Sequence, residues 1–280
     1  METYLEYSLA AEGRDLFACY WRPEGEVRAV VCLVHGLGEH SARYAHVAAA
    51  LNRAGYAVVA LDQRGHGKTQ GPRGHVKSYD MLLDDIQLLL TDAADRFPDI
   101  PIFLYGHSMG GGLVLNMALR RKPALAGVVA TAPLLRLAFE PPPVKIFLGR
   151  MMDKVKPDFT QASGLETAAI SRDREVVYAY ENDPLVHDAI SARLFTGTFD
   201  SGLWALERAA EFPYPLLLMH GSEDRLTSAQ ASTEFAAAAG EQCTLKLWDG
   251  LYHEIHNEPE QDQVFAVLID WLDQHVGAAL

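Results

Sequence analysis

The chain has 280 residues, 49% of them hydrophobic, which suffices for one large core in a single domain with room for an insertion. Its formal net charge of −13 argues against nucleic acid as a partner and against polybasic docking on anionic lipid. Three dispersed cysteines make no disulfide framework; Cys19 and Cys32 lie in strand-like runs and read as small buried hydrophobes, which fits a reducing compartment.

The N-terminus, Met1-Glu2-Thr3-Tyr4-Leu5-Glu6, lacks the basic start and apolar stretch of a signal peptide, and no run reaches the roughly 18 apolar residues of a membrane span. The expectation is a soluble, cytoplasmic protein that retains an apolar patch for transient lipid contact. In chain order, Asp15–Arg22 reads as a strand and Val27–Val34 as a longer apolar one of the doubly covered kind. Ala42–Ala54 is helical and stops at Gly55, and Tyr56–Leu61 is again a strand, followed by the glycine-rich Asp62-Gln63-Arg64-Gly65-His66-Gly67. Met81–Phe97 has helical periodicity and ends before Pro98. Ile102–Tyr105 is a strand, Gly111–Leu119 a helix, and Gly127–Ala132 the next strand.

From Leu134 to about Phe212 no central strand is evident, and a methionine-rich apolar stretch, Val144–Met152, follows three prolines. The alternation resumes with the strand Leu216–His220, a helix at Ser228–Ala239, the strand Thr244–Trp248 and an amphipathic helix at Glu260–His275, with Val264, Val267, Leu268 and Trp271 inward. The α/β alternation specifies a mostly parallel central sheet covered by helices on both faces. Residues 1–133 and 213–280 are expected to form this core, and residues 134–212 an inserted helical cap.

Between the strand at Ile102 and its helix lies Gly106-His107-Ser108-Met109-Gly110, a G-x-S-x-G elbow in the strand–turn–helix context that exposes a serine hydroxyl. A serine hydroxyl is a weak nucleophile and needs a base, and the base needs an orienting carboxylate. Asp224, just past the strand ending at His220, and His253, just past the strand ending at Trp248, fit the order Ser, acid, His. Glu223 competes with Asp224, which is better placed in its loop, and His256, one turn beyond His253, is an alternative base. The His253-x-x-His256 spacing lacks a third ligand cluster, so neither metal nor cofactor is expected. An oxyanion hole needs two fixed N–H donors; Met109 follows the serine, and Leu37 in His35-Gly36-Leu37-Gly38 is the second candidate, with His35 bracing that loop.

Taken with Gly36-Leu37-Gly38-Glu39-His40-Ser41-Ala42-Arg43-Tyr44, Asn182-Asp183-Pro184-Leu185 and Tyr252-His253-Glu254-Ile255-His256-Asn257-Glu258, these segments resemble the serine α/β-hydrolases, and more narrowly the monoacylglycerol lipases and related lysophospholipase-like enzymes. The resemblance spans nearly the whole chain. It implies an α/β-hydrolase fold, Ser108 as nucleophile, Asp224 as orienting acid and His253 as base, acting on a small-molecule or lipid ester. It also implies Glu39, Arg43, His256 and Tyr180 as polar groups near a glycerol moiety, although Glu39 and Arg43 equally suit a structural ion pair. Ile146, Phe147, Leu148, Met151 and Met152 are expected either to line an acyl channel or to pack as cap core. A long apolar tunnel ending near Glu39 and His256 would mark a lipase. The rival readings are a short-chain carboxylesterase or lysophospholipase, and a catalytically silent ligand-binding protein.

Overall fold

Unbroken runs of valine, alanine and leucine suit strands covered on both faces, and the computed structural model, which describes residues 3–279, builds its sheet from them. The chain enters through an antiparallel hairpin of β1 (Thr3–Ala11) and β2 (Arg14–Arg22). β3 (Ala29–Val34) leads through a 3-10 turn at Ser41–Tyr44 into α1 (Ala45–Arg53), and then comes β4 (Tyr56–Leu61). α2 (Tyr79–Arg96), β5 (Ile102–His107), α3 (Met109–Arg120) and β6 (Gly127–Thr131) complete the first half. Residues 134–212 hold α4 (Pro143–Val155), β7 (Thr160–Ala162), α5 (Arg174–Asn182), β8 (Ala189–Ser191) and α6 (Ala192–Glu207). β9 (Leu216–Gly221), α7 (Ala229–Ala239), β10 (Cys243–Trp248) and α8 (Gln261–His275) close the chain.

The eight-stranded sheet runs β1-β2-β4-β3-β5-β6-β9-β10, and only the two pairings of β2 are antiparallel. Every residue of β3, β4, β6 and β9 is buried, as parallel strands with two covered faces require. One face packs on α1 and α8 through Val47, Leu51, Val264, Leu268 and Trp271. The other packs on α2, α3, α6 and α7 through Leu83, Ile86, Leu113, Leu194 and Phe235. Cys19 and Cys32 are fully buried, as expected. Strand β1 was not foreseen, because its residues alternate at a half-exposed sheet edge without a solid apolar run, and the three-residue pair β7–β8 is too short to announce itself.

The intervening segment is uneven. α6 belongs to the core: Leu194 and Ala205 are buried beside α3, and Asn116 Nδ2 donates to the Ser201 carbonyl at 3.1 Å. α4 buries none of its residues, and Phe147 and Leu148 stand 60% and 56% exposed. Ile146 and Met152 are half-buried, while Phe147, Leu148 and Met151 stand in solvent, so these residues form no closed cap core. The methionine-rich apolar stretch is a helix, and among the described residues nothing covers Phe147, Leu148 or Met151.

Candidate active site

Ser108 sits between β5 and α3 with φ 55 and ψ −117, a backbone strained for any residue bearing a Cβ. The strain is held by its neighbours. Ser108 N–H donates to the Thr131 carbonyl at 2.9 Å, and its own carbonyl accepts from Gly112 and Leu134 at 3.0 and 2.8 Å. Strand and helix meet so closely that a Cβ on Gly106 would lie 2.3 Å from the Gly110 carbonyl oxygen, and one on Gly110 2.1 Å from that of Val34. Only glycine fits either place.

The loops after β9 and β10 bring the other two residues to the same carboxyl edge of the sheet. His253 Nε2 is 2.9 Å from Ser108 Oγ, and His253 Nδ1 is 2.7 Å from Asp224 Oδ2. A carboxylate only accepts, so Nδ1 carries the proton and Nε2 is left to accept from the serine hydroxyl. Burial opposes a charge on His253, but the Asp224 carboxylate and its hydrogen bond outweigh it and raise the pKa above the ordinary histidine value. Burial likewise opposes ionised Asp224, yet His253 and the hydrogen bonds from His220 and His253 hold it well below the usual carboxylate range. Asp224 Oδ1 also accepts the N–H groups of Leu226 and Thr227 at 2.7 and 3.1 Å. Glu223, the competing acid, is exposed and makes none of these contacts.

His256, the competing base, lies stacked on Tyr44 at 4.9 Å and edge-on to His107 at 4.8 Å. Its Nδ1 is buried without a partner, and burial pushes its pKa down to about 3. His107, the second residue of the elbow, is buried between His253 and His256, and burial with those two neighbours holds it neutral.

The loop after β3 approaches the serine from the other side, with Gly36 close against Ser108. No acceptor among the described residues takes the N–H of Leu37 or of Met109. His35 braces this loop as expected: its Nε2 accepts from Gln63 N–H at 2.9 Å and its Nδ1 meets the Gly36 carbonyl at 2.8 Å. Glu39 braces it too, because its Oε1 accepts from Gly36 N–H at 2.6 Å and from Tyr44 Oη at 2.7 Å. Arg43 binds the second Glu39 oxygen at 2.7 Å and then reaches across the site to Glu254, which it holds with two hydrogen bonds of 2.8 Å. Tyr180 covers that guanidinium at 4.7 Å. Burial disfavours ionised Glu254, but Arg43 prevails and lowers its pKa to about 2.

A narrow cleft of about 10 Å³ lies over Ser108, room for about one water molecule. Leu37 and Glu39 line it on one side, and Leu165, Ile170 and Tyr180 on the other. Arg43 and His256 stand behind these residues. The long apolar tunnel expected for a lipase is not open, since the segment is pinned down by the His187 N–H to the Gly38 carbonyl and by His40 to Asp183, both at 2.9 Å. A larger cavity of about 190 Å³ lies by β1 and α2, around Arg64, Asp85 and Leu88, and touches none of these residues.

Sequence reasoning passed over Glu254, His107 and His220. Glu254 adjoins His253 and could have been found as the acid facing Arg43; His220 announces itself only by preceding the acid by four residues in a buried strand.

A serine, a histidine and a buried aspartate linked in series at the carboxyl edge of this sheet define the class: a serine α/β-hydrolase. The model of the serine aminopeptidase S33 family matches residues 25–260, and the chain belongs to that family. It is 36% identical over 258 residues to the monoacylglycerol lipase of Mycolicibacterium smegmatis, covering 91% of this chain and 92% of that one. It is 37% identical to an uncharacterized abhydrolase domain-containing protein of Dictyostelium discoideum over 97% of this chain, which is 29% of that longer protein. The crystal structure of the Paleococcus ferrophilus monoacylglycerol lipase superposes with a TM-score of 0.86 at 33% identity, over 93% of this chain and 99% of that one.

Proposed function

We propose that this hydrolase cleaves monoacylglycerols to a fatty acid and glycerol through an acyl-serine intermediate. The observation that carries the reading is the continuous hydrogen-bonded path from Ser108 Oγ through His253 to Asp224, with two unengaged N–H groups beside it. Ser108 Oγ attacks the ester carbonyl while His253 Nε2 takes its proton, and Asp224 stabilises the imidazolium. The N–H groups of Leu37 and Met109 hold the oxyanion. His253 then protonates the departing glycerol oxygen, activates water against the acyl-serine, and the fatty acid leaves.

Kinship to the mycobacterial monoacylglycerol lipase supports the choice of substrate. Among the polar residues assigned to the glycerol end, Tyr180 is best suited to it: it lines the cleft, and its hydroxyl makes no hydrogen bond among the described residues. Glu39 and Arg43 spend their polar atoms on Gly36, Tyr44 and Glu254, so they serve the site as its frame. Within residues 134–212, the part before α6 that carries Asp183 and His187 acts as a cap that must separate from Gly38 and His40 to admit an acyl chain.

No helix among the described residues is long and apolar enough to cross a membrane. Exposed Val144, Phe147, Leu148 and Met151 share α4 with Lys145, Arg150 and Lys154, the composition of a helix that lies in a lipid interface. The cap would thereby touch the lipid from which the substrate comes.

The test is a panel of monoacylglycerols of rising chain length, lysophospholipids and short synthetic esters, with a fluorophosphonate probe of Ser108. The reading expects monoacylglycerols to have the highest kcat/KM, and Ser108→Ala to lose labelling and at least about 10⁴-fold in rate. A preference for short synthetic esters removes the substrate assignment; equal labelling of Ser108→Ala removes the nucleophile.

A further inference from the structure

His220, the last residue but one of β9, is fully buried four residues before Asp224 and has no place in the serine–histidine–aspartate path. Its Nε2 lies 2.9 Å from Asp224 Oδ2, the same oxygen that His253 Nδ1 meets at 2.7 Å. Its Nδ1 lies 2.8 Å from Ser232 Oγ on α7. These contacts fix the protons. The carboxylate accepts only, so the His220 Nε2 donates. In the neutral ring Nδ1 is then an acceptor, so the Ser232 hydroxyl donates to it. The opposite tautomer would turn a ring lone pair against a carboxylate oxygen in a water-free interior. The carboxylate thus selects the tautomer of His220, the Ser232 hydroxyl satisfies its other nitrogen and anchors the ring to α7, and His220 in turn grips the oxygen that orients the base. Thr227 Oγ1 is 2.9 Å from that oxygen but also 3.0 Å from the Ala132 carbonyl, and its single proton serves one of them at a time. His220 Nε2 also lies 3.3 Å from the Thr227 carbonyl, but its shorter contact of 2.9 Å makes it the second N–H donor to Oδ2.

We infer that His220, locked by Ser232, is a positioning residue for the reaction: it fixes the rotation of the Asp224 carboxylate and shares the charge of Oδ2, so that His253 is oriented without being held permanently protonated. The inference rests on the proposed roles of Ser108, His253 and Asp224. With the His220 N–H removed, Asp224 keeps more charge for His253, the imidazolium is stabilised, and the base is neutral only at higher pH. The other titratable or charged groups that face His253 are Glu254, Glu39, His107, His256 and Arg43, and the substitutions below leave all of them in place.

The experiment is the pH profile of kcat/KM on a soluble monoacylglycerol for the wild type, His220→Leu, His220→Gln and Ser232→Ala, with the thermal midpoint of each. For His220→Leu the acid limb is expected to move upward by about one pH unit, with kcat down about 10- to 100-fold and KM within about twofold. His220→Gln keeps an N–H donor at similar reach and is expected to restore the wild-type limb. Ser232→Ala, which removes only the hydrogen bond that anchors the His220 ring to α7, is expected to shift the limb the same way and to lower kcat about threefold. Because Ser232→Ala deletes one hydroxyl, it decides the matter even where His220→Leu does not fold. An acid limb unmoved in Ser232→Ala and in whichever His220 variants fold, whatever their stability, overturns the inference and leaves His220 as packing. Full activity of Ser108→Ala is the different result that would instead remove the catalytic reading on which it rests.

Discussion

Around Ser108 the polar groups of three loops are tied to one another: Glu39 to Gly36, Arg43 to both Glu39 and Glu254, and Asp224 to His253, His220, Leu226 and Thr227. Some 40 residues on, α4 carries five large apolar side chains into solvent and fully buries none of its residues. The first region resists movement because displacing one group strands another in a water-free interior. The second has no such penalty. A platform that holds a hydrogen-bonded path at 2.7–2.9 Å is over-determined, while the inserted segment is held at its edges, at Gly38, His40 and Gly74, and left loose at α4.

The sharpest way to break this contrast is Arg43→Ala. It leaves Glu39 and Glu254 buried with no counter-charge, and uncoupling a buried ion cluster in this way costs about 3–5 kcal/mol. Urea unfolding should register that loss, and kcat should fall with it because Gly36 and His253 lose their common brace. A loss under 1 kcal/mol would show the platform to be no more interlocked than the segment above it.

The elbow was legible because its chemistry is local: Gly-x-Ser-x-Gly between a strand and a helix leaves few other conformations, and β4 and its bounds followed from a solid apolar run. The meeting of Asp224 and His253 with Ser108 was legible from order alone, each lying directly after a strand. The i,i+4 arm of Arg43 to Glu39 was also within reach, but the arm to Glu254 joins residues 211 apart and depends on how two loops fold over one sheet edge. α4 shows the opposite limit. Its apolar stripe was plain, but a stripe specifies that a face is greasy and not what covers it. The closed cleft was beyond reach for a similar reason, since it depends on backbone contacts such as His187 to Gly38.

Acid offers a second, smaller probe of the platform. His107 and His256 are held neutral by burial and their histidine neighbours, with His256 pushed down to about 3. A folded-state pKa below the unfolded value gives stability that is complete above the unfolded pKa, near 6.5, and is lost as the pH falls below it. His256 should therefore cost the native state about 1.4 kcal/mol at pH 5.5, and His107 acts in the same direction. His253 runs the other way: its raised pKa stabilises the fold at low pH and loses that contribution as the pH rises through it. Replacing His256 with glutamine removes one titration, so the stability gap between variant and wild type should narrow by about 1.4 kcal/mol between pH 7 and pH 5.5. A constant gap would mean that His256 charges as freely in the native state as in the unfolded one. α4 and α5 contain no histidine, so this acid response belongs to the platform and its anchors.

The smallest effect on stability is expected where the segment is loosest. Replacing Phe147, Leu148 and Met151 together by serine changes side chains that are already 60%, 56% and 48% exposed, so the fold should shift by no more than about 0.5 kcal/mol. If α4 meets lipid as proposed, that near-neutral change in stability should accompany a several-fold loss of hydrolysis of long-chain monoacylglycerol presented in vesicles. Turnover of a short, fully dissolved monoacylglycerol should stay as in the wild type, because Ser108, His253 and Asp224 are untouched. Equal losses on both substrates would place α4 in the machinery of the cleft, and the division between an interlocked platform and a free lipid-facing helix would fail. Loss on vesicles alone would explain why α4 gathers five exposed hydrophobics on one short helix: its partner is the surface in which the substrate is dissolved.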